Sequence, residues 1–278
     1  MPGYYSGVIL NNSGMRLAFA IVLHAWLPAV HAQDLVTLPT RDGVIQSYLL
    51  EAPSHTPYAL AVLFPGGGGH IHLRREDGEI KVNSVNFLVR SRDQFVARGI
   101  ATAVMDAPSD LQSGMDDAFR SGSKHKDDVR AVVTDLNRRF PAVPVFLVGT
   151  SRGTVSAAYA ASALGSDVAG TALTASVFLA SGRRAIYGGA GLSAFDFSSI
   201  KSPLLLVHHR HDGCNLTPYH EARRLSERFP LISVSGGKPA VSGPCDALSE
   251  HGFLGREAET VEAIVNWMLK KPFQKEIE

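Results

Sequence analysis

The stretch of this sequence whose residue types and spacing could do chemistry is Gly149-Thr-Ser-Arg-Gly153. It lies between the apolar run VPVFLVG and the small-residue run TVSAAYAASAL. A strand that reverses sharply into a helix crowds its own backbone, so small residues must flank the turn. The central side chain then stands above the sheet, at the positive end of the helix. Ser151 placed there is a candidate nucleophile. The pattern GxSxG is weak by itself and gains weight from its position; the plain alternative is a glycine-rich strand–helix loop. Four glycines in a row, Gly66 to Gly69, form a second candidate, but neither GK[ST] nor GxGxxG follows, which argues against a phosphate cradle. The cluster His208-His-Arg-His211 could be read as metal ligands. Alternate residues of a strand point to opposite faces, however, and no further ligand set is apparent, so no metal or other cofactor is expected. The two cysteines, Cys214 and Cys245, fit one disulfide in an oxidising compartment, the alternative being two separate buried thiols; no CxxC pattern is present.

The elements that must position these residues alternate. LVTLPTRDGVIQSYLLEA predicts a two-stranded hairpin turning at Asp42 and Gly43, and YALAVLFP a strand buried on both faces. VNFLVRSRDQFVARG predicts a helix ending at Gly99, IATAVMDAP a strand, and KHKDDVRAVVTDLNRRF a helix with Val129, Val132, Val133 and Leu136 on one stripe. Beyond the serine come strand GTALTASVF, strand PLLLVHH, helix PYHEARRLSERF, a weak strand LISVS and a closing helix REAETVEAIVNWMLKK. This order predicts a mostly parallel sheet with helices on both faces, whose ligands bind at the carboxyl ends of the strands.

Composition sets the outer limits. At 278 residues, 45% hydrophobic and 19% charged, the chain suits an ordinary globular protein. A net charge of +1 gives no global field to gather nucleic acid or anionic lipid, so a partner must be recognised locally. At the N-terminus, Met15 and Arg16 precede the apolar run LAFAIVLHAWL and the small residues Val30 and Ala32. This matches a secretory signal spanning residues 1–32 and cleaved after Ala32, with Met15 a candidate start. The run is too short to span a bilayer. The mature chain, 33–278, is expected to be one domain, periplasmic or secreted, with no membrane contact after cleavage.

With strand, elbow and helix in place, the chain resembles an α/β-hydrolase from about residue 35 to 270. The resemblance implies an eight-stranded, mostly parallel sheet and further parts in the order nucleophile, acid, histidine. RHDGCNLTP, after strand PLLLVHH, resembles the family's acid loop and offers Asp212; CDALSEHGFLG, before the last helix, resembles its histidine loop and offers His251. In that reading His251 takes the Ser151 proton while Asp212 fixes the imidazole tautomer. Rivals are Asp246 for the acid and His70, His72, His208, His209, His211 and His220 for the base. A Cys214–Cys245 bridge would then tie the acid loop to the histidine loop. LFPGGGGHIHL resembles the oxyanion loop, giving Gly67 or Gly68 together with the N–H of Arg152 as donors; Pro65 stands where the family pattern has His.

What the resemblance implies is a serine hydrolase of the carboxylesterase kind, cutting an ester of a small or medium acyl substrate through an acyl-enzyme. The alternatives are a dienelactone-hydrolase-like or peptidase activity, or a non-catalytic binding protein. Only Ser181 to Ile200 separate the sixth and seventh core strands, too few residues for a large cap. Arg74, Arg75 and Arg152 raise the idea of an acidic acyl group. Nothing in the sequence sets the oligomeric state.

Overall fold

The continuous apolar runs become the centre of one sheet. The computed structural model describes residues 32–182 and 186–278, so the signal-like segment, except its last residue Ala32, lies outside the described residues. The hairpin is β1 (Ala32–Arg41) and β2 (Val44–Ala52), which pair antiparallel around the Asp42-Gly43 turn. The strand before the glycines is β3 (Ala59–Phe64), every residue of it buried. A small exposed hairpin, β4 (Arg74–Glu76) and β5 (Glu79–Lys81), follows. Then come β6 (Ile100–Met105), β7 (Val145–Thr150), β8 (Gly170–Thr174), β9 (Leu204–His209), β10 (Leu231–Val234) and the two-residue β11 (Glu276–Ile277).

The main sheet runs β1-β2-β6-β3-β7-β8-β9-β10-β11. From β6 to β11 every pairing is parallel, and β2 runs against both of its neighbours. The sheet thus has the expected eight strands plus β11 on its edge. From β3 the chain crosses to β6 on one side and then to β7 on the other, so a crevice opens at the carboxyl ends of β3 and β7.

The two faces of the sheet carry different helices because strand side chains alternate. Leu60, Val62 and Phe64 face α4 (Ser123–Arg139), through Val129, Val132 and Leu136, and α5 (Gly153–Leu164). Ala59, Ala61 and Leu63 share the opposite core with Leu88 of α1 (Phe87–Arg90), Phe95 of α2 (Arg92–Val96) and Ile264 of α7 (Glu257–Met268). The five-residue α3 (Asp117–Ser121) precedes α4, and α6 (Tyr219–Leu225) follows the acid loop. Helix α5 buries Ala157, Ala158, Ala160 and Ala161, and its small side chains let it lie close against β7 and β8.

Three elements differ from expectation. The helix read across 85–99 is broken at Ser91, whose backbone (φ −105°, ψ 6°) leaves the helical basin while its N–H still donates to Phe87 O. The strand read through Phe178 stops at Thr174, because Ala175 adopts φ +45° and turns the chain. The helix read to Phe229 ends at Leu225.

Candidate active site

The elbow is built by excluded volume. Ser151 follows β7 directly and holds φ +52°, a left-handed backbone that costs a non-glycine residue about 1–2 kcal/mol. Its N–H donates to Thr174 O on β8 at 3.0 Å, and its carbonyl accepts from Thr154 N–H at 2.9 Å. A Cβ on Gly153 would sit inside the Phe64 carbonyl oxygen, and one on Gly66 would stand 2.8 Å from Ser151 Cβ. A Cβ on Gly149 would stand 2.5 Å from Gly153 O, so glycine is required on both sides of the serine as well as in the facing loop.

The acid loop and the histidine loop meet. His251 Nδ1 lies 2.9 Å from Asp212 Oδ2, and both side chains are almost completely buried. Asp212 Oδ2 also accepts from the Thr217 hydroxyl at 2.8 Å, and Oδ1 accepts from the Cys214 N–H at 2.9 Å. Burial alone would raise the Asp212 carboxyl; the hydrogen bond and charge of His251, with the Cys214 N–H, outweigh it and hold the group below the usual carboxylate range. With Nδ1 turned to the carboxylate, His251 Nε2 is buried and has no partner among the described residues. His251 and Ser151 line one cavity of about 620 Å³, which Gly66, Gly67, Gly68, Asn86 and Tyr187 also line. A disulfide joins Cys214 to Cys245, 4.6 Å between Cα atoms, and Cys245 faces this same cavity.

The rival residues fall elsewhere or point elsewhere. Asp246 lines the cavity, but its Oδ2 accepts from Gly243 N–H at 3.1 Å. His208 is fully buried, its Nε2 accepting from Ser176 N–H at 2.7 Å, and burial pushes its pKa down to about 4. His209 places its two ring nitrogens on Gly236 O and on the His211 N–H, while His211 and His220 are exposed. These imidazoles therefore do not converge. His70 and His72 do line the cavity, their ring centroids 4.7 Å apart, and burial followed by the His72 charge lowers His70.

Glycines shape the second half of the site. Gly66 O accepts from Gly69 N–H at 3.0 Å, closing a tight turn with Gly67 at φ +57°. Among the described residues, the N–H groups of Gly67, Gly68 and Arg152 have no acceptor. The arginines suggested for an acidic acyl group do not line the cavity. Arg74 pairs with Glu76, Arg75 donates to Gly78 O, and the Arg152 guanidinium turns inward to Asp117.

Set beside solved structures, the chain is similar to Est1E from Butyrivibrio proteoclasticus, with TM-score 0.59, 14% identity, and 85% of this chain and 98% of that one covered. It is also similar to XC6422 from Xanthomonas campestris, described as a member of the α/β serine hydrolases without lid, with TM-score 0.56, 15% identity and coverages of 88% and 99%. The chain has the α/β-hydrolase fold. A cold-adapted esterase from an Arctic intertidal metagenomic library shares it at TM-score 0.54 and 14% identity, with coverages of 86% and 93%. No family model and no curated protein matches the sequence. In the α/β-hydrolase fold the nucleophile sits on the strand-to-helix elbow and the acid and histidine follow it in the chain. Here Ser151 follows β7, Asp212 follows β9 and His251 precedes α7. Segment 181–200 contributes a single 3₁₀ turn, Phe197–Ser199, among its described residues, and supplies Tyr187 to the cavity wall.

Reading the sequence did not single out Thr217, Asn86 or Arg120. Thr217 stabilises the Asp212 carboxylate, and Asn86 caps α1, its Oδ1 accepting from Leu88 N–H at 3.1 Å, while lining the cavity. A polar residue before an apolar helical run is an N-cap signal only, so nothing marked Asn86 as facing a site.

Proposed function

We propose that this protein is a serine hydrolase of the carboxylesterase kind, acting on esters of small or medium acyl groups through an acyl-enzyme on Ser151. The observation that carries the reading is the His251–Asp212 hydrogen bond of 2.9 Å, which leaves the buried Nε2 without a partner on a residue that lines the same cavity as Ser151. Ser151 Oγ attacks the acyl carbonyl and its proton passes to His251 Nε2. The carbonyl π pair moves onto oxygen, where the N–H groups of Arg152 and of Gly67 or Gly68 receive the charge. Collapse of this intermediate expels the alkoxide, which takes the proton from Nε2. Water activated by the same nitrogen then releases the acid and restores Ser151. Asp212 stabilises the imidazolium in both halves. Esters are favoured as substrates because the Arctic protein is described as an esterase and Est1E has been solved with ferulic acid bound. Export to an oxidising compartment fits the disulfide and the signal-like start.

The test is labelling with a fluorophosphonate, followed by a panel of aryl esters, thioesters and peptides. The reading expects label on wild type, none on Ser151→Ala, and turnover of esters above the other classes. A folded wild type that takes no label would leave a binding protein as the better account.

A further inference from the structure

Helix α3 reaches both halves of the proposed oxyanion hole. Asp117 and Arg120 are three residues apart and share a face of this short helix. Asp117 Oδ2 accepts from Arg152 Nη1 at 2.7 Å and from Gly191 N–H at 2.9 Å. Arg120 is fully buried. Its Nη1 donates to Ser156 Oγ on α5 at 2.8 Å, and its Nη2 donates to Gly67 O at 2.9 Å and, at 3.4 Å, to Pro65 O. One guanidinium therefore spans the glycine loop and the helix that follows the elbow.

The geometry of a planar peptide gives this contact a consequence. Holding the Gly67 carbonyl against Arg120 forces the Gly68 N–H to point the opposite way. The Gly66 carbonyl, closed onto Gly69 N–H, fixes the Gly67 N–H in the same manner. The buried Asp117 carboxylate pairs with Arg152 and acts on Arg120 only through its charge; Asp116 is exposed and caps α3 through Phe119 N–H. Burying a cation with no carboxylate in contact is costly, so its presence here calls for a role. Burial lowers the Arg120 pKa to about 10, which leaves the group charged at neutral pH.

The geometry points to Arg120 as the positioning residue of the oxyanion hole: its buried guanidinium holds the Gly67 carbonyl, and with it the Gly68 N–H, in one orientation beside the cavity that Ser151 lines, and adds a positive potential where the acyl oxygen becomes anionic. This rests on the serine hydrolase reading above. The effect belongs to the tetrahedral state, in which the oxygen is charged, and not to the bound ester, in which it is neutral.

The experiment compares Arg120→Met, Arg120→Lys and wild type, full chain, by thermal unfolding, by kcat and KM on p-nitrophenyl acetate, and by inhibition. Two inhibitors are used: an aryl trifluoromethyl ketone, which forms an anionic hemiketal on the serine, and the matching methyl ketone, which binds without charge. Arg120→Met is expected to lose about 10–100-fold in kcat, a smaller effect than deletion of a direct donor, with KM within about threefold. Trifluoromethyl ketone affinity should fall in step with kcat, while methyl ketone affinity holds. Arg120→Lys keeps the charge but cannot span Ser156 and Gly67 together, and should recover part of the loss. If folded variants match wild type in kcat and in trifluoromethyl ketone affinity, or if both ketones weaken equally, the inference is wrong. If Arg120→Met does not fold, Arg120→Lys alone decides by the same two readouts. If neither folds, Arg120 is scaffold and the inference also fails. Wild type that takes no fluorophosphonate label sinks the serine hydrolase reading instead, whatever the variants do.

Discussion

Replacing Asp212 by Asn changes one atom type in the site and should remove nearly all turnover. Asp212 Oδ2 receives two donors, His251 Nδ1–H and the Thr217 hydroxyl, and Oδ1 receives the Cys214 N–H. An amide has only one acceptor oxygen. The Thr217 hydroxyl can rotate, its oxygen being also 3.3 Å from Cys214 O, but the backbone N–H of Cys214 cannot. The amide oxygen is therefore held at Cys214, and its NH₂ turns to His251. Facing a donor, His251 must carry its proton on Nε2, so that nitrogen can no longer act as the proposed base. The expected loss is about four orders of magnitude in kcat, or about 5 kcal/mol of barrier. Stability should fall by only about 1–3 kcal/mol, since most of the hydrogen bonds at this position are replaced. Steady-state hydrolysis of an aryl acetate at pH 7–8 gives the first number, urea unfolding the second, and ¹⁵N spectra of the imidazole report the tautomer. A folded Asp212→Asn protein that keeps more than a tenth of wild-type kcat, or one that keeps the proton on Nδ1 while losing activity, would refute this reasoning.

Two further outcomes follow from the same structure. Replacing Cys214 and Cys245 by Ser opens a bridge of sequence separation 31 and should cost about 3–4 kcal/mol by chain entropy, roughly 10 °C in Tm. Because Cys214 N–H holds Asp212, kcat should fall several-fold as well, and unchanged turnover in the folded variant would confine the bridge to stability. His125 is buried with neither ring nitrogen bonded among the described residues, and burial, followed by the charges of Arg120 and Arg41, pushes its pKa down to about 3. The unfolded chain binds a proton there below about pH 6.5 and the folded one does not. Its contribution to stability is therefore complete above that pH and lost as pH falls toward 3. His125→Phe, packed beside Phe64 and Phe119, should flatten the pH dependence of unfolding, gaining about 2–3 kcal/mol on wild type between pH 7 and 4.5; parallel curves would refute it.

The parts of this molecule that were legible in the sequence are those where a local steric rule leaves one choice. Gly149 and Gly153 announce the elbow because a methyl at either would strike backbone, and Val129, Val132, Val133 and Leu136 announce α4 because they repeat at helical spacing. The placing of Asp212 and His251 came from chain order within a resembled fold, and their contact belongs to tertiary structure. What escaped is short or decided at a distance. Helix α3 has five residues and β11 two, below the length at which periodicity speaks. Arg120 reads as surface because arginine is rarely buried, and only the assembled neighbourhood of Ser156, Pro65 and Gly67 gives it an interior position.

The left-handed backbone at residue 151 sets heat tolerance against turnover. A glycine there would relax the chain at its sharpest bend, and Ser151→Gly should melt a few degrees above wild type, equivalent to roughly 1 kcal/mol after its extra freedom when unfolded is subtracted. Alanine keeps the bend and should melt with wild type. Selection for thermal endurance alone would thus drift toward a tougher protein with no hydroxyl at the elbow, and with it no acyl-enzyme of the kind proposed.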